Sequence, residues 1–246
     1  MTVGEKKIKF FFLPLNKKVI FSLVLVVILV SYSLIELDNP EPEQAVFQQQ
    51  PKAYYQGPQD KNEAAFAINV AWGTEYIPEI LDILKKEEAA ATFFLVGNWV
   101  EKFPELVVEI KEEGHELGNH GYRHRHPQKL AEEDLTALIK KNENLIQETA
   151  DYKTKLFAPP YGEVDQRIVK VAHKIGYKTI MWTVDTIDWQ RPEPEVIIKR
   201  VVPQAEKGAI ILMHPTKPTV KALPAVIKGL EEKGYKLVTI SELLSK

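Results

Sequence analysis

From residue 64 onward this sequence predicts a parallel α/β architecture, as a barrel or as an open doubly wound sheet. Two observations predict it. Short apolar runs of strand length alternate with amphipathic stretches of helical period, and such alternation pairs strands in parallel through helical crossovers. Polar and special residues also recur just past the strand candidates. In α/β barrels the C-terminal ends of the strands build the active face.

The elements follow in order. Residues 65–70 (AFAINV) form the first strand candidate, and Asn69 stands near its end. A helix over 78–87 opens on Pro78, which suits a first turn because its missing N–H is not needed there. A strand over 91–96 leads to a helix over 104–113, opened by Pro104 and stopped by Gly114. The strand 116–119 precedes His120 and His124, and a long helix covers 131–150. A short strand over 155–157 runs into Pro159, Pro160 and Tyr161, and a helix over 165–175 stops at Gly176. The strand 178–183 precedes Asp185, Asp188 and Trp189, with a helix over 193–202 after them. The strand 209–213 ends at His214, the helix 222–233 stops at Gly234, and 236–239 is the last strand. No G-x-G-x-x-G or P-loop follows any of these strands, so a nucleotide partner has no support.

The chain of 246 residues has no cysteine and a formal net charge of -2. A metal site must therefore use histidines and carboxylates, and nothing in the charge points to nucleic acid. Residues 19–35 (VIFSLVLVVILVSYSLI) are uncharged and mostly apolar, at the short end of what spans a bilayer. Five lysines precede them and acids follow. The positive-inside rule then predicts a basic cytoplasmic tail (1–18), an uncleaved signal anchor (19–35), a flexible linker (36–63) and an extracytoplasmic domain (64–246). A cleaved signal is the competing reading, but no A-x-A site follows the run.

GNHGYRHRH carries His120 and His124 in an H-x-x-x-H spacing, which on one turn or a tight loop aims both imidazoles at one point. The spacing alone is a weak signal; its setting among other segments strengthens it. ATFFLVGNWVEKFPELVVEIKEEGHELGNHGYRH, FAPPYG, WTVDTIDW and ILMH resemble, in order, successive motifs of the polysaccharide deacetylases with a NodB-homology domain. The segments NVAWGTEYIPEIL, MWTVDTIDW and LMHPT are most similar to a sporulation-protein branch of that family.

The resemblance implies a distorted (β/α) barrel, a zinc or other divalent ion held by one Asp and two His, and hydrolysis of an acetyl group on a glycan. It implies His120 and His124 as metal ligands, His214 as catalytic acid and Asp188 as the carboxylate that tunes it. Trp189 and Leu212 then line the acetyl pocket, and the Tyr161 backbone N–H is an oxyanion donor. Such chemistry is coherent: zinc lowers the pKa of bound water, a carboxylate takes its proton, and a protonated His serves the leaving amine.

One motif departs. The family's T-F-D-D-G holds its base and its metal Asp, and the matching strand here reads AINVAWG. Aligned on the sporulation branch, Asn69 takes the base position and Val70 the ligand position. Aligned on Gly73, those positions fall to Ala71 and Trp72. Neither register has an acid; the first is preferred because Asn is isosteric with Asp. The family Arg that pairs with the base is Ala158, a coherent loss, since an Arg without its Asp is a costly unpaired charge. Glu75, Asp185 or His126 are the candidates to replace the missing ligand. The expectation is a membrane-anchored deacetylase homologue that acts on N-acetylated glycan of the cell wall or spore cortex with impaired catalysis and weak or absent zinc. The alternative is an inactive glycan- or partner-binding protein.

Overall fold

The computed structural model describes residues 16–37 and 50–245. The chain divides into two units, Met1–Gln49 and Gln50–Lys246. In the first, a single described helix, α1 (Lys17–Leu37), covers the apolar run. Its Ser22 and Ser31 hydroxyls donate to the carbonyls of Lys18 and Val27 one turn back, so these polar groups are satisfied within the helix. Among the described residues no helix is long and apolar enough to cross a membrane. The basic tail up to residue 15 and linker residues 38–49 lie outside the described residues.

The second unit alternates strands and helices: β1 (Ala53–Tyr54), β2 (Glu63–Val70), α2 (Ile77–Lys86), β3 (Ala91–Leu95), α3 (Gly97–Val100), α4 (Pro104–Glu112), β4 (Glu116–Asn119), α5 (Glu132–Ala150), β5 (Leu156–Phe157), α6 (Gln166–Lys174), β6 (Lys178–Ile180), β7 (Val184–Asp185), α7 (Pro194–Gln204), β8 (Ile210–Met213), α8 (Lys217–Glu232), β9 (Lys236–Leu237) and α9 (Ile240–Leu243). Among the described residues every pairing between these strands is parallel, in the order β1-β6-β5-β4-β3-β2-β8-β7, with β9 on β2. The result is a curled α/β half-barrel. Its two ends are joined by the chain itself. Three residues separate β6 from β7, and within them the Met181 N–H donates to Tyr54 O and the Thr183 N–H to Ile210 O.

The folded unit starts earlier than residue 64. Ala53–Tyr54, inside the expected linker, pairs with β6, and Gln56 bridges to Ala209. Two residues of strand are too short to leave a periodic signal. Helix α8 likewise begins at Lys217 rather than 222 because the Thr216 side chain accepts from the Thr219 N–H and caps it.

Alternation in β2 explains what the barrel presents. Ala64, Phe66, Ile68 and Val70 pack outward against the helices, with Phe93, Leu95 and Ile211. Ala65 and Ala67 point inward, with Phe94, Leu156, Ala158 and Ile210. Small residues suit the narrow interior. Gly118 serves the same end, because a Cβ there would come within 2.4 Å of the Phe94 ring. Asn69 is the next inward position, and it opens into a cavity at the C-terminal strand ends.

Candidate functional site

The cavity, about 470 Å³, is lined by Asn69, Ala71, Trp72, His120, His124, Tyr161, Gly162, Trp182, Asp185, Trp189, Leu212 and His214. Nine of the residues singled out in the sequence therefore meet at one place: Asn69, Ala71, Trp72, His120, His124, Tyr161, Trp189, Leu212 and His214. Asp185 joins them, and Asp188 adjoins them through His214.

His120 is buried at the end of β4. Its Nδ1 lies 2.6 Å from the Ala158 carbonyl. A carbonyl can only accept, so Nδ1 carries the proton and Nε2 is left with its lone pair. Burial, with His124 second, pushes the His120 imidazole down to about 3. His124 is also held below the usual histidine range, by burial first and then by His214 and His126. The two rings meet edge to face, with centroids 5.0 Å apart.

Three hydrogen bonds and one left-handed glycine hold this region. Asn119 Oδ1 accepts from the Gly121 N–H (2.8 Å) and from Asn142 Nδ2 (2.9 Å). Asn142 Nδ2 also donates to Leu95 O, tying α5 to β3. Gly121 sits at φ 77, a conformation in which a Cβ would be strained. Asn142, buried mid-helix, gave no sign in the sequence beyond being a polar residue on an apolar face.

Asp188 is fully buried. Its Oδ1 accepts from His214 Nδ1 (2.8 Å), and its Oδ2 accepts from the His214 N–H and the Thr219 hydroxyl (both 2.6 Å). A carboxylate only accepts, so the His214 proton on Nδ1 is assigned and Nε2 is the edge turned to the cavity. Trp72 stacks on the His214 ring, with centroids 5.7 Å apart and planes 6° apart. Tyr161 takes a left-handed conformation (φ 60) that turns its ring onto His126 at 4.0 Å and against the edge of His124 at 4.3 Å. Burial holds the Asp185 carboxyl above the usual carboxylate range.

Val70 does not stand beside the histidines. It is fully buried in the outer core, because a strand turns successive side chains to opposite faces. Ala71 and Trp72, both positions of the register on Gly73, line the cavity, whereas of the first register Asn69 lines it and Val70 does not. Ala158 lies in the inner core, below the cavity. Of the proposed substitutes, Glu75 sits in an exposed turn and His126 is paired with Glu163 at 2.7 Å; Asp185 alone lines the cavity.

A catalytic zinc takes three protein ligands and an open position. Among the described residues no group of three or more His, Cys, Asp or Glu is placed to hold a metal ion. His120 and His124 offer two imidazoles, and the neighbouring end of β2 offers Asn69, Ala71 and Trp72. The residues present do not fit a three-ligand zinc.

Residues 56–180 match the family described as polysaccharide deacetylase. The chain is 45% identical over 197 residues to YlxY of Bacillus subtilis (strain 168), covering 80% of this chain and 62% of YlxY, so it spans less than two thirds of that relative. It is 36% identical to a peptidoglycan-N-acetylglucosamine deacetylase of Bacillus cereus, covering 77% of this chain and 70% of that enzyme. Among solved structures, a CE4 family pseudoenzyme from Bacillus anthracis superposes with a TM-score of 0.78 at 44% identity, covering 79% of this chain and 69% of the other. A mutant of that pseudoenzyme with restored enzymatic activity superposes with a TM-score of 0.78 at 42% identity, covering 79% and 72%. The family match covers half of this chain and takes in both cavity histidines of the His120 loop, and the chain belongs to the polysaccharide deacetylase family.

Proposed function

We propose that this protein is a deacetylase homologue that binds amino-sugar glycan of the cell wall or spore envelope and turns it over slowly or not at all. The observation that carries the reading is the end of β2, where Ala71 and Trp72 occupy the cavity wall beside His120 and His124. Neither can take a proton from water or bind a metal. His214 and Asp188 keep an acid-type geometry, and Trp189 and Tyr161 are half exposed at the rim, where an aromatic face can stack on a sugar. What the chain's own groups can do is orient a glycan and present the His214 Nε2 edge to it. A metal-activated water would need a third ligand, and none stands with His120 and His124 among the described residues.

A membrane-anchored, extracytoplasmic placement accompanies this reading. The support is the uncharged 19–35 run behind its lysines, the internal satisfaction of Ser22 and Ser31, and the exposure of apolar side chains from Ile20 to Val30.

The test is acetate release from chitooligosaccharides and peptidoglycan, with metal content measured in parallel. Wild type is expected near background and low in zinc, since a positioned base alone is worth about 10²–10⁴-fold. The combined variant Ala71→Asp, Trp72→Asp, Ala158→Arg is expected to gain both zinc and turnover. Brisk wild-type turnover that His214→Ala abolishes would overturn the reading.

A further inference from the structure

Among the described residues no lysine or arginine lines the cavity. Its walls carry the rings of Trp72, Trp182, Trp189 and Tyr161, and aromatic faces attract ammonium groups. Asp185 is a carboxylate the His214–Asp188 pair does not use. Its Oδ1 accepts from the Ile187 N–H at 2.8 Å, and among the described residues it forms no ion pair. Arg200, on α7, donates to the Thr186 carbonyl instead. His120 Nε2 adds a lone pair, as its Nδ1–H is committed to Ala158. Asn69 is 6% exposed, lines the cavity, and its Oδ1 has no hydrogen-bond partner. An unpartnered buried polar atom is uncommon, and a ligand is one of the partners that would satisfy it.

We propose that the cavity recognises a hexosamine whose nitrogen is a free ammonium, the product of glycan deacetylation, in preference to the N-acetyl form. The proposal rests on the reading of the cleft as a glycan site. An ammonium gives the aromatic walls and Asp185 a charge to hold, whereas an acetamide gives them none. The lost third ligand fits the same picture, since a metal dication beside His120 and His124 would repel the amine. The protein then stands downstream of a deacetylation reaction, reading sugars whose acetyl group has been removed.

The experiment is titration calorimetry of the full-length chain in detergent, at near-physiological salt, with the glucosamine tetramer and with the N-acetylglucosamine tetramer. The free-amine tetramer is expected to bind about tenfold tighter. Asp185→Asn keeps an oxygen to accept from the Ile187 N–H and is expected to remove most of that preference. Asp134→Asn, on α5 outside the cavity, is expected to leave it intact. Equal or tighter binding of the acetylated tetramer overturns this inference and leaves the glycan reading standing. Binding of neither tetramer overturns both. A preference that survives Asp185→Asn, or that Asp134→Asn removes as readily, shows general attraction to a polycation and overturns the inference.

Discussion

Substituting aspartate at two neighbouring positions separates the two ways of placing the lost metal-binding motif. Val70 is fully buried in the outer core against Phe93 and Leu95. An aspartate there has no partner. Holding it neutral at pH 7 costs about 4 kcal/mol, from an ordinary pKa near 3.9 and about 1.36 kcal/mol per unit. Loss of the buried valine surface adds roughly 1.5 kcal/mol. Val70→Asp should therefore remove most of a stability that is typically about 5–15 kcal/mol for a domain. Trp72 is 39% exposed and rests on the His214 ring, so Trp72→Asp should cost roughly 1 kcal/mol of ring contact. Urea unfolding followed by far-ultraviolet circular dichroism measures both. The sign with pH is a further check. A carboxyl whose folded pKa is raised destabilises more as pH rises from the unfolded value, so the Val70→Asp deficit should shrink towards pH 4. A Val70→Asp protein as stable as wild type that gains zinc would refute the strand-face argument and return the ligand position to Val70.

The remaining predictions use the same geometry. Gly118→Ala would force a Cβ within 2.4 Å of the Phe94 ring, and should lower stability by about 1–3 kcal/mol in the same urea assay; a neutral result would mean that the ring has room to move. His115, buried with both ring nitrogens unpartnered, and His120 and His124 are all held below the usual histidine range, chiefly by burial. The unfolded state therefore takes up protons first, and metal-free stability should fall as pH drops below about 6.5. His115→Phe should flatten part of that slope in urea midpoints measured from pH 7.5 to 5. Protease added to intact protoplasts should digest the Gln50–Lys246 unit if α1 is an anchor with its lysines inside; protection would place the unit in the cytoplasm.

Much of this protein was legible in its sequence for a local reason. Strand runs such as ATFFL and IILM are apolar on both faces because helices cover one side and the barrel interior lies on the other. Prolines at helix starts and glycines at helix stops mark boundaries through φ and the missing N–H. The order of motifs led to the family and to His120, His124, Asp188 and His214, which the fold gathers at one mouth. Only tertiary structure could decide the rest. The two-residue β1 has no period to read, and its hydrogen bonds come from β6, far along the chain. The face on which Val70 lies depends on where β2 sits between its neighbours β3 and β8. A shift of one residue moves every side chain to the other face, so Asn69 turns inward and Val70 outward, while Trp72 meets His214 because β2 ends at Val70 and the chain bends there. Asn142, Thr219 and Trp182 likewise act across the fold, on Asn119, Asp188 and the cavity wall. Those contacts exist only once α5, α8 and the β6–β7 link have packed, because each joins residues that the chain alone leaves far apart.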